Sequence, residues 1–188
     1  MSVLPIRIFG DPVLRERAGE VTDFDRALRA LAENMLETMR AAQGAGLAAN
    51  QVGVLKRLFT WELPGEDDAQ PNPHGSWVNP EITETSAELQ EGDEGCLSFP
   101  GLFYPTERPL RARMRAQDVF GDPHEVAAEG QLARIILHEV DHLNGILFID
   151  HLARHSKKEA LRRIRSGELE LNAAGQGEGL PAGVGNAL

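Results

Sequence analysis

Two histidines four residues apart, with a glutamate directly after the first, lie in a stretch so apolar that it has to be buried: His138-Glu-Val-Asp-His142. From Gln131 to Leu143 the chain carries Leu132, Ile135, Ile136, Leu137, Val140 and Leu143, apolar nearly all round, the pattern of a helix covered on most sides. On a helix, residues i and i+4 share a face, so both imidazoles can reach one cation. Glu139 sits about 100° further round, close enough to handle a proton without being a ligand. Core or surface histidines satisfied by ordinary hydrogen bonds are the commoner use of such residues. Two rings and two carboxylates, Glu139 and Asp141, inside a buried helix nevertheless need partners, and a cation supplies one.

A catalytic divalent site usually takes three protein ligands and keeps a position for water. The pattern HExxHxxGxxH would complete it locally, and Gly145 is correctly placed, but its last position is Phe148, which cannot coordinate. His151 lies too far along for that turn. His74, His124 and His155 sit in polar, loop-like or terminal surroundings that suit solvated rings.

The remaining soft candidate is Cys96, the only cysteine, within Glu94-Gly-Cys-Leu-Ser98. A lone cysteine is usually a small core hydrophobe; beside a helix that lacks a ligand, a thiolate ligand is the better assignment. A third segment, Gly44-Ala-Gly-Leu-Ala-Ala-Asn-Gln51, is a small-residue loop just past a helix. Around Gly46 the backbone can approach a substrate closely, and Gln51 offers an amide NH2 to a developing oxyanion. Its plainer reading is a helix C-cap and turn.

Together the three segments resemble peptide deformylases, whose motifs GxGLAAxQ, EGCLS and HExDH occur here in that order. The likeness extends over roughly residues 4 to 152, taking in Asp11-Pro12-Val-Leu14 and Asn34-Met-Leu-Glu-Thr-Met39. It implies Cys96, His138 and His142 as ligands of a divalent metal, with Glu139 as general acid and base. Gln51 and the Leu97 backbone N–H would be oxyanion donors, and Gly46, Leu97, Ile135 and the alkyl stem of Arg134 would line the substrate site. Asp141, pointing away from the metal face, would pair with Arg108, with Glu94 alongside, to support the ligands. The implied substrate is an N-formylmethionyl peptide and the implied metal Fe(II), with zinc, nickel or cobalt as other occupants of an N2S site. The chain departs from the family pattern at Leu137, where a Gln often precedes the first histidine.

Composition bounds the other classes. At 188 residues and 41% hydrophobic content there is room for one sizeable core. A net charge of -10 argues against sequence-specific nucleic-acid binding, which calls for a basic field. One cysteine excludes an internal disulfide, and no run is long enough to span a bilayer. The segment Met1-Ser-Val-Leu-Pro-Ile-Arg-Ile8 lacks a signal-peptide apolar region, so a reducing cytoplasm is the expected setting.

Thr22 and Asp23 are capping candidates for a helix whose stripe Leu28, Leu31, Met35, Met39 faces the core and which ends at Gly44. Leu58 to Glu62 and Trp77 to Asn79 read as short strands, and Leu110-Arg-Ala-Arg-Met-Arg-Ala116 alternates strictly, with Arg111, Arg113 and Arg115 on one solvated face. Asp118 to Pro123 turns the chain. Gly65-Glu-Asp-Asp-Ala-Gln-Pro-Asn-Pro73, between Pro64 and Ser76, is an acidic surface insertion with no role assigned. The order predicts an α+β fold, with antiparallel sheets packed around the buried His138 helix and a C-terminal helix. Residues 1–170 form one catalytic domain in this reading. From Leu152 to Arg165 a short helix gathers 6 of the 19 basic residues, a candidate for docking on the ribosome through phosphate-rich RNA or protein. Residues 171–188 form a Gly-rich tail that is expected to be disordered.

Two other functions fit parts of this pattern. A zinc endopeptidase would need a downstream third ligand, which Phe148 denies. A structural metal module would need a fourth protein ligand, and none is evident.

Overall fold

The computed structural model describes residues 2–64 and 71–166; the expected tail at 171–188 and residues 65–70 of the acidic insertion lie outside them. Helix α1 spans Arg26–Ala41. Asp25 starts it, accepting a hydrogen bond from the Leu28 N–H at 2.8 Å and so satisfying one of the helix's free donors. The caps expected at Thr22 and Asp23 fall short of it. Both backbone polar groups of Val21 are tied to the Asn79 side chain, at 2.8 Å each, and the chain enters the helix only after Asp25. Leu28, Met35 and Met39 are fully buried and Leu31 half-buried, so the stripe faces the core as read.

The main sheet is five-stranded and antiparallel, in the order β1 (Gly46–Ala48), β2 (Leu58–Glu62), β3 (His74–Thr85), β8 (Arg111–Gln117), β9 (Pro123–Glu129). Two small antiparallel pairs lie apart from it: β4 (Leu89–Gln90) with β7 (Arg108–Pro109), and β5 (Asp93–Gly95) with β6 (Phe103–Pro105). Strand β3 is far longer than the Trp77–Asn79 core that the sequence suggests. Irregular pairing between Val78 and Glu81, and again between Ile82 and Glu84, breaks the period of two around Pro80 and hides the strand from a pattern reading. On β8 the alternation holds: Ala112, Met114 and Ala116 are buried while Arg111, Arg113 and Arg115 are exposed and paired with surface carboxylates. Such pairs add little stability.

Helix α2, Gln131–Leu143, lies across this sheet. Its Ala133, Ile136, Val140 and Leu143 pack with Phe59, Ala112, Met114, Ala116 and Ala128 in one core cluster. The helix ends in a paired turn in which the Ile146 N–H reaches Asp141 O and the Gly145 N–H reaches His142 O, at 2.9 Å each, with Gly145 at φ +75°. A side chain at Gly145 would also meet the Arg15 carbonyl oxygen at 2.4 Å. The glycine that looked like part of a metal motif is therefore a helix terminator pressed against the amino-terminal segment. Helix α3, Arg154–Arg165, seats Ala160, Leu161 and Ile164 against a cluster containing Cys96, Phe99 and Phe148. Its basic side chains Arg154, Lys158, Arg162 and Arg165 are exposed.

Candidate metal centre

Helix α2 presents His138 and His142 on one face, their ring centroids 4.9 Å apart. The turn after β5 brings Cys96 up to them. The three side chains are buried, and their ligand atoms all lie within 4.8 Å of one another. Cys96 Sγ is 3.2 Å from His142 Nε2.

The tautomer of His138 follows from its neighbour. Its Nδ1 lies 2.6 Å from Glu94 Oε1, so that nitrogen donates and Nε2 carries a lone pair. Nε2 is buried and has no hydrogen-bond partner among the described residues. A carboxylate fixing the far nitrogen of a ligand ring is the usual support for a metal-bound histidine. Burial holds His142 well below the ordinary imidazole range, with His138 adding to the effect, which keeps the ring neutral and able to coordinate. Burial pushes the Cys96 thiol up, and the Ser98 N–H at 3.4 Å opposes this only in part. A divalent cation reverses that balance by favouring the thiolate outright. The donor set thus fits a borderline-soft divalent ion.

Glu139 is fully buried, and neither of its oxygens has a hydrogen-bond partner among the described residues. The Ala48 N–H beside it is committed to Gln51 Oε1 at 2.7 Å. Burial raises the Glu139 carboxyl well above the ordinary range, and the nearby Glu94 charge raises it further. A carboxyl so displaced holds a proton more readily than a solvated one, the property that a group passing protons back and forth requires. Its space comes from Gly46, where a Cβ would stand 2.3 Å from Glu139 Oε1. Replacing Gly46 with Ala is expected to cost about 1–3 kcal/mol of stability by overpacking and to slow hydrolysis. Thermal unfolding and formate release check this; an alanine variant equal to the parent in both would place the carboxylate elsewhere.

Glu94 is the hub beneath the centre. Arg108 reaches it through Nη2 at 2.6 Å and Nε at 3.0 Å, Arg134 through Nη1 at 3.1 Å, and His138 as described. Burial alone would raise its carboxyl, but the bonds from Arg108 and His138 hold it below the ordinary carboxylate range. Arg108 Nη1 also grips Asp141 Oδ2 at 2.6 Å, the pairing the sequence anticipates.

Several side chains were not legible in this detail. Arg134, read as lending its stem to a pocket, also closes its guanidinium on Glu94 and the Thr106 carbonyl, because a buried guanidinium needs acceptors. His151, set aside as a ligand, places Nε2 2.7 Å from Asp141 Oδ2. Asn50 donates to the His142 carbonyl at 2.5 Å and pins the end of α2. Gln51 Nε2 lies 3.5 Å from Cys96 Sγ and 3.1 Å from Ser98 Oγ. Among the described residues nothing accepts from the Leu97 N–H. Ile135 is fully buried with Ala45 against Trp61 and Leu63. Leu97 is half-buried, over Gly44. Phe148, at the position a third histidine would take, is a core ring set edge-on to Phe99. Leu137, at the departure from the family pattern, is a partly buried residue of the sheet-facing core.

An antiparallel sheet carrying a buried helix with two converging imidazoles, a thiol beside them and a buried carboxyl without a hydrogen-bond partner among the described residues defines a metal-dependent hydrolase. The polypeptide deformylase family model matches residues 3–158, and the chain belongs to that family, enzymes that remove the N-formyl group from the N-formylmethionine of nascent polypeptides and release formate. It is 48% identical over 168 residues to the peptide deformylase of Acidothermus cellulolyticus, covering 89% of each chain. It is 46% identical over 158 residues to that of Thermotoga neapolitana, covering 84% of this chain and 92% of the other. Among solved structures it is similar to the Ehrlichia chaffeensis peptide deformylase in complex with actinonin, with a TM-score of 0.82, 38% identity, and coverage of 89% of this chain and 99% of that one.

Proposed function

We propose that Cys96, His138 and His142 hold the metal, that Glu139 carries the protons, and that Gln51 and the Leu97 N–H receive the oxyanion during deformylation of N-formylmethionyl peptides. The observation that supports this best is the convergence of the three ligand atoms within 4.8 Å, beside a buried carboxyl with no hydrogen-bond partner among the described residues. Held by Cys96, His138 and His142, a divalent ion would supply Lewis-acid chemistry, a lowered pKa for water and polarisation of a carbonyl. Glu139 takes the proton of the attacking water and returns it to the leaving amine, giving formate and a free methionine amine. The Gln51 Nε2–H and Leu97 N–H donate to the carbonyl oxygen as charge builds there, each preorganised donor being worth about 3–4 kcal/mol. Gly46, Leu97, Ile135 and Arg134 border the methionine side chain in this reading, while Asp141, Arg108 and Glu94 fix the ligands.

Fe(II) is the proposed native ion, with zinc, nickel or cobalt able to replace it at a site of two nitrogens and one sulfur. A reducing cytoplasm preserves both the thiolate and a ferrous ion; among the described residues no helix is long and apolar enough to cross a membrane. Formate release from a formyl-Met peptide, compared with acetyl-Met and internal-peptide cleavage, tests the activity. In air the ferrous protein is expected to inactivate faster than the nickel or cobalt form, since both iron and thiolate can be oxidised. Equal lifetimes would remove the case for iron.

Helix α3 is proposed to dock on the ribosome. Support comes from its exposed Arg154, Lys158, Arg162 and Arg165 on a chain of net charge -10, a local positive face that a phosphate-rich surface attracts. Deleting the helix would strip Leu161 and Ile164 from the cluster around Cys96, so substitution of these four residues by Ala is the sound test. Weaker binding to ribosomes with a shallower salt dependence is expected. Unchanged affinity across salt concentrations would refute the docking.

A further inference from the structure

Ser98 is fully buried, and its polar atoms turn toward the metal centre. Its N–H lies 3.4 Å from Cys96 Sγ, and its hydroxyl oxygen accepts from Gln51 Nε2 at 3.1 Å. Gln51 is equally buried. The Ala48 N–H, 2.7 Å from Gln51 Oε1, fixes which end of the amide is which, since a flip would set donor against donor. With the carbonyl end anchored, the remaining freedom is the direction of the two N–H bonds. Ser98 Oγ occupies one of them. The other is directed to Cys96 Sγ, a long contact of 3.5 Å on the side where the ligand atoms gather.

We propose that Ser98 is a positioning residue for hydrolysis: its hydroxyl oxygen takes one N–H of the Gln51 amide and thereby aims the second at the oxygen that becomes negative in the transition state. The inference rests on Gln51 being an oxyanion donor. Donors of this kind act only over a narrow range of direction and distance, so an amide held at one end alone delivers less than its full effect. Ser98 touches neither substrate nor metal in this role.

The test is a double-variant cycle on the cobalt-loaded protein, with kcat and KM read from formate release and coordination read from the cobalt visible spectrum. Gln51→Ala is expected to lower kcat about 100-fold, and Ser98→Ala about 10-fold with KM little changed. The double variant should be no slower than Gln51→Ala, and the cobalt spectrum the same throughout. If Ser98→Ala keeps the parent kcat while Gln51→Ala is slow, the positioning role is wrong and the donor role of Gln51 stands. If Gln51→Ala is as fast as the parent, the donor reading itself fails and takes this inference with it. Independent, multiplying losses in the double variant would also overturn the proposal. Ser98→Thr keeps the hydroxyl and gives a second handle should the alanine variant fold poorly. Near-parent kcat supports the proposal, whereas a tenfold loss with an unaltered cobalt spectrum contradicts it.

Discussion

Replacing Glu139 with Gln is expected to leave a folded, metal-loaded protein whose formate release is slower by about two to four orders of magnitude, the usual worth of a positioned proton carrier. The carboxyl is buried without a hydrogen-bond partner among the described residues, so removing its charge breaks no ion pair, and the amide is close to it in size. Burial is what raises its proton affinity, and an amide in that position can neither take the proton of water nor return one to an amine. KM should change little, because the loss falls on the transition state. Metal content and single-turnover rate, measured together, decide the matter. A Glu139→Gln protein with parental kcat would remove the general base from this site.

Cys96→Ala is expected to lose metal and activity together. The sulfur is the only thiol in the chain, and the two imidazoles left behind make a poor divalent site. The contrast with Glu139 carries the argument, since one substitution deletes a proton carrier and the other a coordinate bond. Metal content after gel filtration and formate release under the same conditions check it. A Cys96→Ala protein with stoichiometric metal and full deformylation would contradict the proposed ligand set.

The parts of the molecule that local pattern determines are legible in the sequence, and those that depend on distant partners are not. Helix α2 runs from Gln131 to Leu143 in both the reading and the structure, because an apolar surface on nearly every side and a glycine at each end leave few alternatives. Strand β8 shows its alternation directly. Helix α1 begins later than expected because Asn79, far away in sequence, claims the backbone of Val21, and β3 is longer than expected because its irregular pairing breaks the period of two. At the centre, the motifs name Cys96, His138 and His142, and the fold sets them together. The side chains around them are harder to read. Arg134 binds a carboxylate 40 positions away, and Asn50 a carbonyl 92 positions away. No spacing rule reports such contacts. Asp141 gave a signal because a carboxylate on a buried helix has to be matched, whereas His151 stands on the surface and has no such requirement.

The Glu94 carboxylate gathers four hydrogen bonds from three side chains, Arg108, Arg134 and His138, two of them on α2 and the third on β7. Through Arg108 the same cluster reaches Asp141, and through Asp141 it reaches His151 at the approach to α3. Withdrawing the Glu94 loop, β7 or α2 would strand a charge in a low-dielectric interior, which costs about 3–5 kcal/mol when a buried pair is broken. The loop, β7 and the helix therefore open as one cooperative unit. Release by local fraying of a metal held at Cys96, His138 and His142 would be disfavoured on the same ground, and its retention would be tied to the stability of these packed segments.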